Sequence, residues 1–307
     1  MTIPSHFPCS YTDCRLCPRM CRVDRTRNTG FCQSGSKPKV ARAALHMWEE
    51  PSISGTKGSG TVFFSGCTLG CVFCQNYEIS RQGAGKEVTE EKLRDIFLRL
   101  QEQGAHNINL VTATHYLPSV VKALESARPR LSIPIVYNCG GYERPEIIQA
   151  LEPYVDIWLP DLKYYDSRLS SSYSGAKDYF TWAKAAIEQM IRQTKSPVFD
   201  DKGLMKSGVI IRHMILPGAR EDSIRLLQWI KDSLPDRQYC ISLLSQYTPF
   251  YLVKDTSLYP QLKRRITSYE YEKVVEFALK LGLSDGYMQE KSSAKEEYTP
   301  PFNLEGV

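Results

Sequence analysis

Short apolar runs along this chain of 307 residues alternate with stretches whose apolar positions recur every three or four residues. The first pattern reads as buried strand and the second as amphipathic helix. Residues 40–48 predict a strand, and a Gly/Ser-rich loop follows over 51–60. Thr61-Val62-Phe63-Phe64-Ser65 reads as a buried strand. A helix is capped by Thr89, turns Leu93, Ile96, Phe97 and Leu100 to one face, and stops at Gly104. The alternation then continues: strand 106–111, helix 117–127, strand 133–137, short helix 145–151, strand 155–159 and helix 179–193. It ends with strand 209–216, helix 223–234, strand 238–244 and a last helix opened by a capping box of Thr267 and Glu270. That helix buries Val274, Val275, Ala278 and Leu281 and stops at Gly282.

Six strands alternating with helices predict the α/β class, a parallel sheet covered by helices. A doubly wound sheet and a partial β/α barrel both fit the count, and both place chemistry at the carboxyl ends of the strands. Composition agrees with a globular chain: 42% hydrophobic and 24% charged residues, without a membrane-spanning run. The first nine residues lack an apolar signal core, so a cytoplasmic protein that is not secreted and meets no membrane is expected.

Charge and cysteines sharpen the picture. The net charge of +5 lies within residues 1–60, where Arg15, Arg19, Arg22, Arg25 and Arg27 interleave with cysteines. A nucleic-acid arm is one reading of that excess. The favoured one is that the arginines offset thiolate charge around a metal, with no nucleic-acid partner. Ten cysteines are clustered, which in a chain of this kind speaks for metal rather than disulfides. Cys14, Cys17, Cys21 and Cys32 offer four soft ligands suited to zinc or to an iron–sulfur cluster, and ligand type does not separate the two. Cys9, Cys139 and Cys240 stand outside any set.

The most informative segment is Cys67-Thr68-Leu69-Gly70-Cys71-Val72-Phe73-Cys74, directly after the first buried strand. No fourth Cys or His follows nearby, so a closed zinc site is disfavoured. Three thiolates suit a cubane cluster with one iron open to an exogenous ligand.

This C-x3-C-x2-C run, with Phe73 as the aromatic before its last cysteine, resembles the signature of the radical S-adenosylmethionine (SAM) superfamily. The stretch from Phe63 to Asn76 and Gly85-Lys86-Glu87-Val88-Thr89 resemble the pyruvate formate-lyase activating enzymes. Closer still is an uncharacterised iron–sulfur branch related to them, which shares the N-terminal cysteines and Glu49-Glu50-Pro51-Ser52-Ile53-Ser54-Gly55. It also shares Asn107-Ile108-Asn109-Leu110-Val111-Thr112, Ile210-Ile211-Arg212-His213 and Leu216-Pro217-Gly218.

The resemblance implies a partial (β/α)6 TIM-like barrel over 59–284, an N-terminal Cys-rich module over 1–58 and a C-terminal tail over 285–307. It implies a [4Fe–4S] cluster on Cys67, Cys71 and Cys74 whose open iron binds SAM, and reductive cleavage of SAM to a 5′-deoxyadenosyl radical. Around the cofactor it implies Phe73, Thr112, Thr114, Asn138, Asp161, Lys163 and Arg212, with His213 as second choice and a monovalent cation beside them. Adjacent strand residues face opposite ways, so Arg212 and His213 do not both face one site. Where relatives carry Gly-Gly-Glu, this chain has Thr112-Ala113-Thr114-His115 and lacks the carboxylate. His115 reads as ligand, acid/base or satisfied loop histidine, and Glu49–Glu50 as entrance residues or a solvated pair.

The leading expectation is an activating enzyme that abstracts hydrogen from a glycine of a glycyl radical enzyme, supplied by a low-potential donor such as flavodoxin or ferredoxin. A radical enzyme modifying a peptide or small molecule is the alternative, and a non-catalytic metal-bearing interaction protein the third.

Overall fold

The expected apolar runs do pair, edge to edge and in parallel, in a computed structural model that describes residues 7–255, 257–289 and 299–307. The strands are β1 (Lys39–His46), β2 (Ser59–Phe64), β3 (Lys86–Glu87), β4 (Ile108–Val111) and β5 (Ile135–Cys139). They continue with β6 (Ile157–Pro160), β7 (Val198–Phe199), β8 (Met205–Met214), β9 (Cys240–Leu244) and β10 (Gly286–Met288). The helices are α1 (Pro51–Ser54), α2 (Tyr77–Ser80), α3 (Glu90–Glu102), α4 (Leu117–Ala127) and α5 (Pro145–Ala150). The rest are α6 (Ser167–Ser174), α7 (Tyr179–Thr194), α8 (Arg220–Ser233), α9 (Leu252–Asp255) and α10 (Ser268–Lys280).

Strand order decides between the two architectures. It runs β10-β9-β8-β6-β5-β4-β2-β1-β3, with β7 hanging from β8. From β2 to β10 the pairing is parallel and never reverses direction. Right-handed crossovers in one unreversed order put every helix on the same face, which curls the sheet into a barrel. A doubly wound sheet needs a reversal that is absent here. The end strands β10 and β3 do not pair, so the barrel is partial. The six expected βα units stand, and β10 adds a short seventh parallel strand beside β9.

Local chemistry explains the elements. Thr89 caps α3 by accepting from the Lys92 amide at 3.1 Å, and Leu93, Ile96, Phe97 and Leu100 are buried. Thr267 and Glu270 form the expected reciprocal box at the start of α10. Residues 51–60 are not a free loop. Pro51 opens the single turn α1, and Asn107 Nδ2 donates to the Ile53 carbonyl at 2.8 Å. Ile53 thereby enters the barrel floor with Val136, Ile157, Leu159, Met205, Ile210 and Cys240.

Among the described residues, neither 7–58 nor 299–307 behaves as a detached module. Phe7, Cys9, Cys14 and Leu16 share the main core, and β1 lies antiparallel to β2. The stretch 299–307 runs back along β1, where the Ala43 amide donates to Glu305 and Leu304 to Ala41, at 2.8 and 3.0 Å. The expected tail over 285–307 is thus partly strand and partly this return, and its residues 290–298 lie outside the described residues, as do residues 1–6 of the expected N-terminal module. The arginine expectation also narrows. Arg15 and Arg22 pair with Asp13 and Arg27 with Asp24, while Arg25 alone of the five is hydrogen-bonded to a cysteine sulfur among the described residues. No helix among the described residues is long and apolar enough to cross a membrane.

Ile53 is fully buried, and truncating such a side chain costs about 2–4 kcal/mol through lost transfer energy and the cavity left behind. Ile53→Ala is expected to lower unfolding free energy by that amount in denaturant titration; a loss under about 1 kcal/mol would contradict the floor assigned to α1.

Candidate active site

β2 ends at Phe64, and the chain turns at Gly66 (φ 91°) into the cysteine loop. A Cβ on Gly66 would sit 2.1 Å from Ser34 Oγ and 2.7 Å from the Cys32 carbonyl. Only glycine fits there. His115 lies behind this turn, its Nε2 donating to the Ser65 carbonyl at 2.7 Å. Burial pushes its pKa down to about 3, so the ring is neutral and supports the loop. The loop-histidine reading is the one the geometry matches.

Each of the three loop sulfurs accepts a hydrogen bond. Leu69 N–H donates to Cys67 Sγ at 3.4 Å, Ser174 Oγ to Cys71 Sγ at 2.9 Å and Ser80 Oγ to Cys74 Sγ at 3.4 Å. Burial pushes the Cys71 and Cys74 thiols up, the latter to about 12, and the neighbouring thiols push further in the same direction. Such thiols ionise only when a metal takes the place of the proton. All three line a cavity of about 650 Å³ at the carboxyl ends of the barrel strands.

Beneath them lies a layer of charge. Arg212, from β8, donates through Nε to Asp161 Oδ1 (2.9 Å), through Nη1 to Glu49 Oε2 (3.2 Å) and through Nη2 to Asn138 Oδ1 (2.6 Å). Lys163 Nζ takes the other oxygen of Asp161 at 2.6 Å. Burial opposes ionisation of Asp161, but Arg212 and Lys163 outweigh it and hold its carboxyl below the ordinary range. Both Asp161 oxygens therefore already face cationic side chains, which supply the charge a monovalent cation would bring. Glu49 also accepts from Asn109 and Asn138, at 3.0 and 3.3 Å.

The solvated-pair reading of Glu49–Glu50 does not hold. Both line the cavity, Glu50 is 7% exposed, and burial pushes both carboxyls up. Glu50 Oε2 and Asn109 Oδ1 are buried without a hydrogen-bond partner among the described residues. His213, as the strand alternation requires, faces away from the cavity. Its Nδ1 donates to the Leu162 carbonyl at 2.6 Å and its Nε2 accepts from Ser223 at 2.8 Å. Placement corrects its expected cofactor contact. The Phe73 ring packs edge-on against Tyr173 and Tyr247 under the loop while bordering the cavity.

Thr112 and Thr114 line the cavity at the end of β4. A carboxylate absent from their own segment arrives from the next loop: Glu143 accepts from Thr114 Oγ1 at 2.7 Å and from the Tyr137 hydroxyl at 3.4 Å. Glu143 is 1% exposed, borders the same cavity, and has no cationic partner among the described residues. Sequence reasoning passed over it, though an acid just beyond Gly140-Gly141 at a strand's carboxyl end was a usable signal. Cys139 also borders the cavity, whereas Cys240 sits in the barrel floor.

Among the described residues, no three His, Cys, Asp or Glu side chains draw together around a single metal ion, and this includes both cysteine sets. Three hydrogen-bonded thiols beside a cavity with unpartnered carboxyl and amide oxygens fit a [4Fe–4S] cluster carrying a zwitterionic ligand on its open iron.

Comparison with known proteins bears on this donor set. An uncharacterised protein of Methanocaldococcus jannaschii, MJ0674, is 28% identical over 282 residues, covering 89% of this chain and 76% of that protein. Streptococcus suis SuiB bound to its precursor peptide SuiA aligns at 14% identity and a TM-score of 0.48, over 73% of this chain and 46% of SuiB. The present chain thus spans about half the length of SuiB. A domain of a pyruvate-formate lyase-activating enzyme from Bacteroides vulgatus aligns at 14% identity and a TM-score of 0.38, over 66% of this chain and 91% of that domain. A family model described as the radical SAM superfamily matches residues 61–230, which include the cysteine loop, Asp161, Lys163 and Arg212. The chain belongs to the radical SAM superfamily.

Proposed function

We infer that this radical SAM enzyme cleaves SAM reductively at a cluster on Cys67, Cys71 and Cys74 and abstracts hydrogen from a glycine of a protein substrate. The observation that carries the first part is the set of three thiols, each given a hydrogen-bond donor, opening on a buried layer of paired charges. When bound, cluster and cofactor supply a one-electron cleavage and a 5′-deoxyadenosyl radical.

The chain's own residues bind, orient and seal. Lys163 and Arg212 are the cationic groups bordering the cavity and would hold the methionine carboxylate, with Asp161 and Asn138 fixing their directions. Glu143, a buried carboxyl without a cation, would receive the methionine ammonium, with Thr114 setting its orientation. Thr112 and Phe73 would border the rest of the cofactor. Burial of the layer excludes water from a reactive intermediate. A cavity of about 650 Å³ is of a size that takes such a cofactor, and a substrate would approach it from the open side. A glycine on an exposed main-chain loop suits that approach, and a one-electron protein donor of the flavodoxin or ferredoxin class would supply the reducing equivalent.

Anaerobically reconstituted protein, given a low-potential reductant and SAM, is expected to release 5′-deoxyadenosine, and Cys71→Ala to release at least ~100-fold less. Equal release from both would overturn the reading. With extract of its own organism, a glycyl-radical doublet is expected in the electron paramagnetic resonance spectrum; cofactor cleavage without it would move the substrate to a peptide or small molecule.

Glu143 provides a check that needs no turnover. Burial pushes its carboxyl up to about 8 from an ordinary value of 4.5. Between those values the folded chain keeps a proton that the unfolded chain has lost, so this group makes stability fall as pH rises. In the cofactor-free protein the wild type should lose up to about 1.4 kcal/mol per pH unit relative to Glu143→Gln across that window. A constant difference between the two would show that Glu143 is already paired. SAM binding by Glu143→Gln, followed by equilibrium dialysis, should weaken about tenfold or more.

A further inference from the structure

The four remaining clustered cysteines lie in a segment with no helix or strand of its own, yet its path is tightly set. Met20 N–H donates to Cys17, Arg22 to Cys14 and Gln33 to Gly30, at 3.0, 2.9 and 2.9 Å. Met20, Arg22 and Gln33 all hold positive φ, at 39°, 58° and 59°. Three non-glycine residues in the left-handed region within fourteen positions are costly unless something beyond the backbone holds them.

The sulfurs gather in one region. Those of Cys21 and Cys32 both crowd Gly30, where a Cβ would lie 3.2 and 3.6 Å from them. Cys17 lies within electrostatic reach of both Cys14 and Cys32. Cys14 and Cys32 are buried, Cys17 is half-buried and Cys21 faces outward. Against them sits Arg25, only 1% exposed. Its guanidinium donates to the carbonyls of Ser34, Gly35 and His115, and its Nη1 is 3.8 Å from Cys14 Sγ. No carboxylate pairs with Arg25 among the described residues. A guanidinium this buried needs a compensating anion. Metal-bound thiolates would supply it.

Four cysteines suit zinc or an iron–sulfur cluster, and geometry favours the second. Bonds of about 2.3 Å to one zinc ion bring its four sulfurs to within about 3.8 Å of each other. Among the described residues no three of these four thiols are grouped to hold a single metal ion, and neither are Cys67, Cys71 and Cys74. A cubane holds its ligands across four irons and accepts the wider spacing. The two sets also adjoin: the Cys67 amide donates to the Cys32 carbonyl at 3.3 Å.

We propose that Cys14, Cys17, Cys21 and Cys32 ligate a second iron–sulfur cluster, of the [4Fe–4S] type, next to the SAM-binding set. The inference goes beyond the proposed reaction and stands or falls on metal content alone.

Iron, sulfide and zinc are to be counted per chain after anaerobic reconstitution. The full chain is expected to carry about eight irons and no stoichiometric zinc, since each cubane brings four. The Cys67→Ala/Cys71→Ala/Cys74→Ala variant should keep about four, with a reduced-cluster resonance that SAM leaves unchanged. The converse Cys14→Ser/Cys17→Ser variant should also keep about four, with a resonance that SAM alters. About four irons with about one zinc in the full chain would overturn the proposal, as would four irons and no other metal. Because the full chain itself decides between these outcomes, a variant that fails to fold leaves the test intact.

Discussion

The guanidinium of Arg212 is the charge around which the barrel interior is arranged. A buried cation of this kind is tolerable only if it is paired and hydrogen-bonded, and each of its three nitrogens reaches a separate part of the chain. Glu49 precedes α1, Asn138 is the next-to-last residue of β5 and Asp161 follows β6. The partnership matters because the sheet weakens at this point. β6 and β8 pair at Ile157–Gly208 and Trp158–Val209, and the next contact between them is the isolated bridge of Asp161 with Arg212. The regular ladder stops after Trp158–Val209, and the bridge, in which the Leu162 amide donates to the Arg212 carbonyl at 2.7 Å, is reinforced by the ion pair of the same two side chains. Removing Arg212 would leave Glu49 buried without its counter-charge and Asp161 with Lys163 alone, a larger loss than any single hydrogen bond.

The interior is consequently layered. An apolar floor that includes Ile53 closes one end, the Arg212 layer lies above it, and the cysteine loop lies above that. Each layer relies on residues distant in sequence. Ser174, on α6, reaches Cys71, and the turn at Gly66 rests on Ser34, Cys32 and His115. Low dielectric in such a place strengthens the fixed charges and makes each unpartnered oxygen more costly. Glu143 and Glu50 Oε2 are therefore informative: in a cavity whose other buried charges, Glu49, Asp161, Lys163 and Arg212, are paired with one another, they are the groups left for something that is not protein.

The barrel was legible in the sequence for a physical reason. Strands buried on both faces read as continuous apolar runs, as Val62-Phe63-Phe64 and Ile157–Pro160 do. Thr89 and the Thr267–Glu270 box marked helix starts because capping is a local interaction. The thiol motif was legible because its spacing is short. What depends on distant pairing was not legible. Glu49 lies 163 positions from Arg212, so the acidic pair reads as solvated until the fold brings the cation to it. Ile53 is a lone apolar residue among Ser and Gly, with no periodicity to mark it as floor. β10 is three residues long, too short to leave a pattern. Arginines beside cysteines in sequence suggested a shared role, but only Arg25 turns inward; the others take nearby acids, carbonyls or aromatic rings.

The central claim is that the Cys67–Cys71–Cys74 loop holds a cluster whose open iron is chelated by the cofactor's amino acid. Pulsed electron–nuclear double resonance on the reduced protein with SAM labelled by nitrogen-15 at the amine and oxygen-17 at the carboxylate tests it most directly. The account expects hyperfine coupling from both nuclei, lost when the three cysteines are replaced by alanine. A reduced cluster on this loop with neither coupling would contradict it.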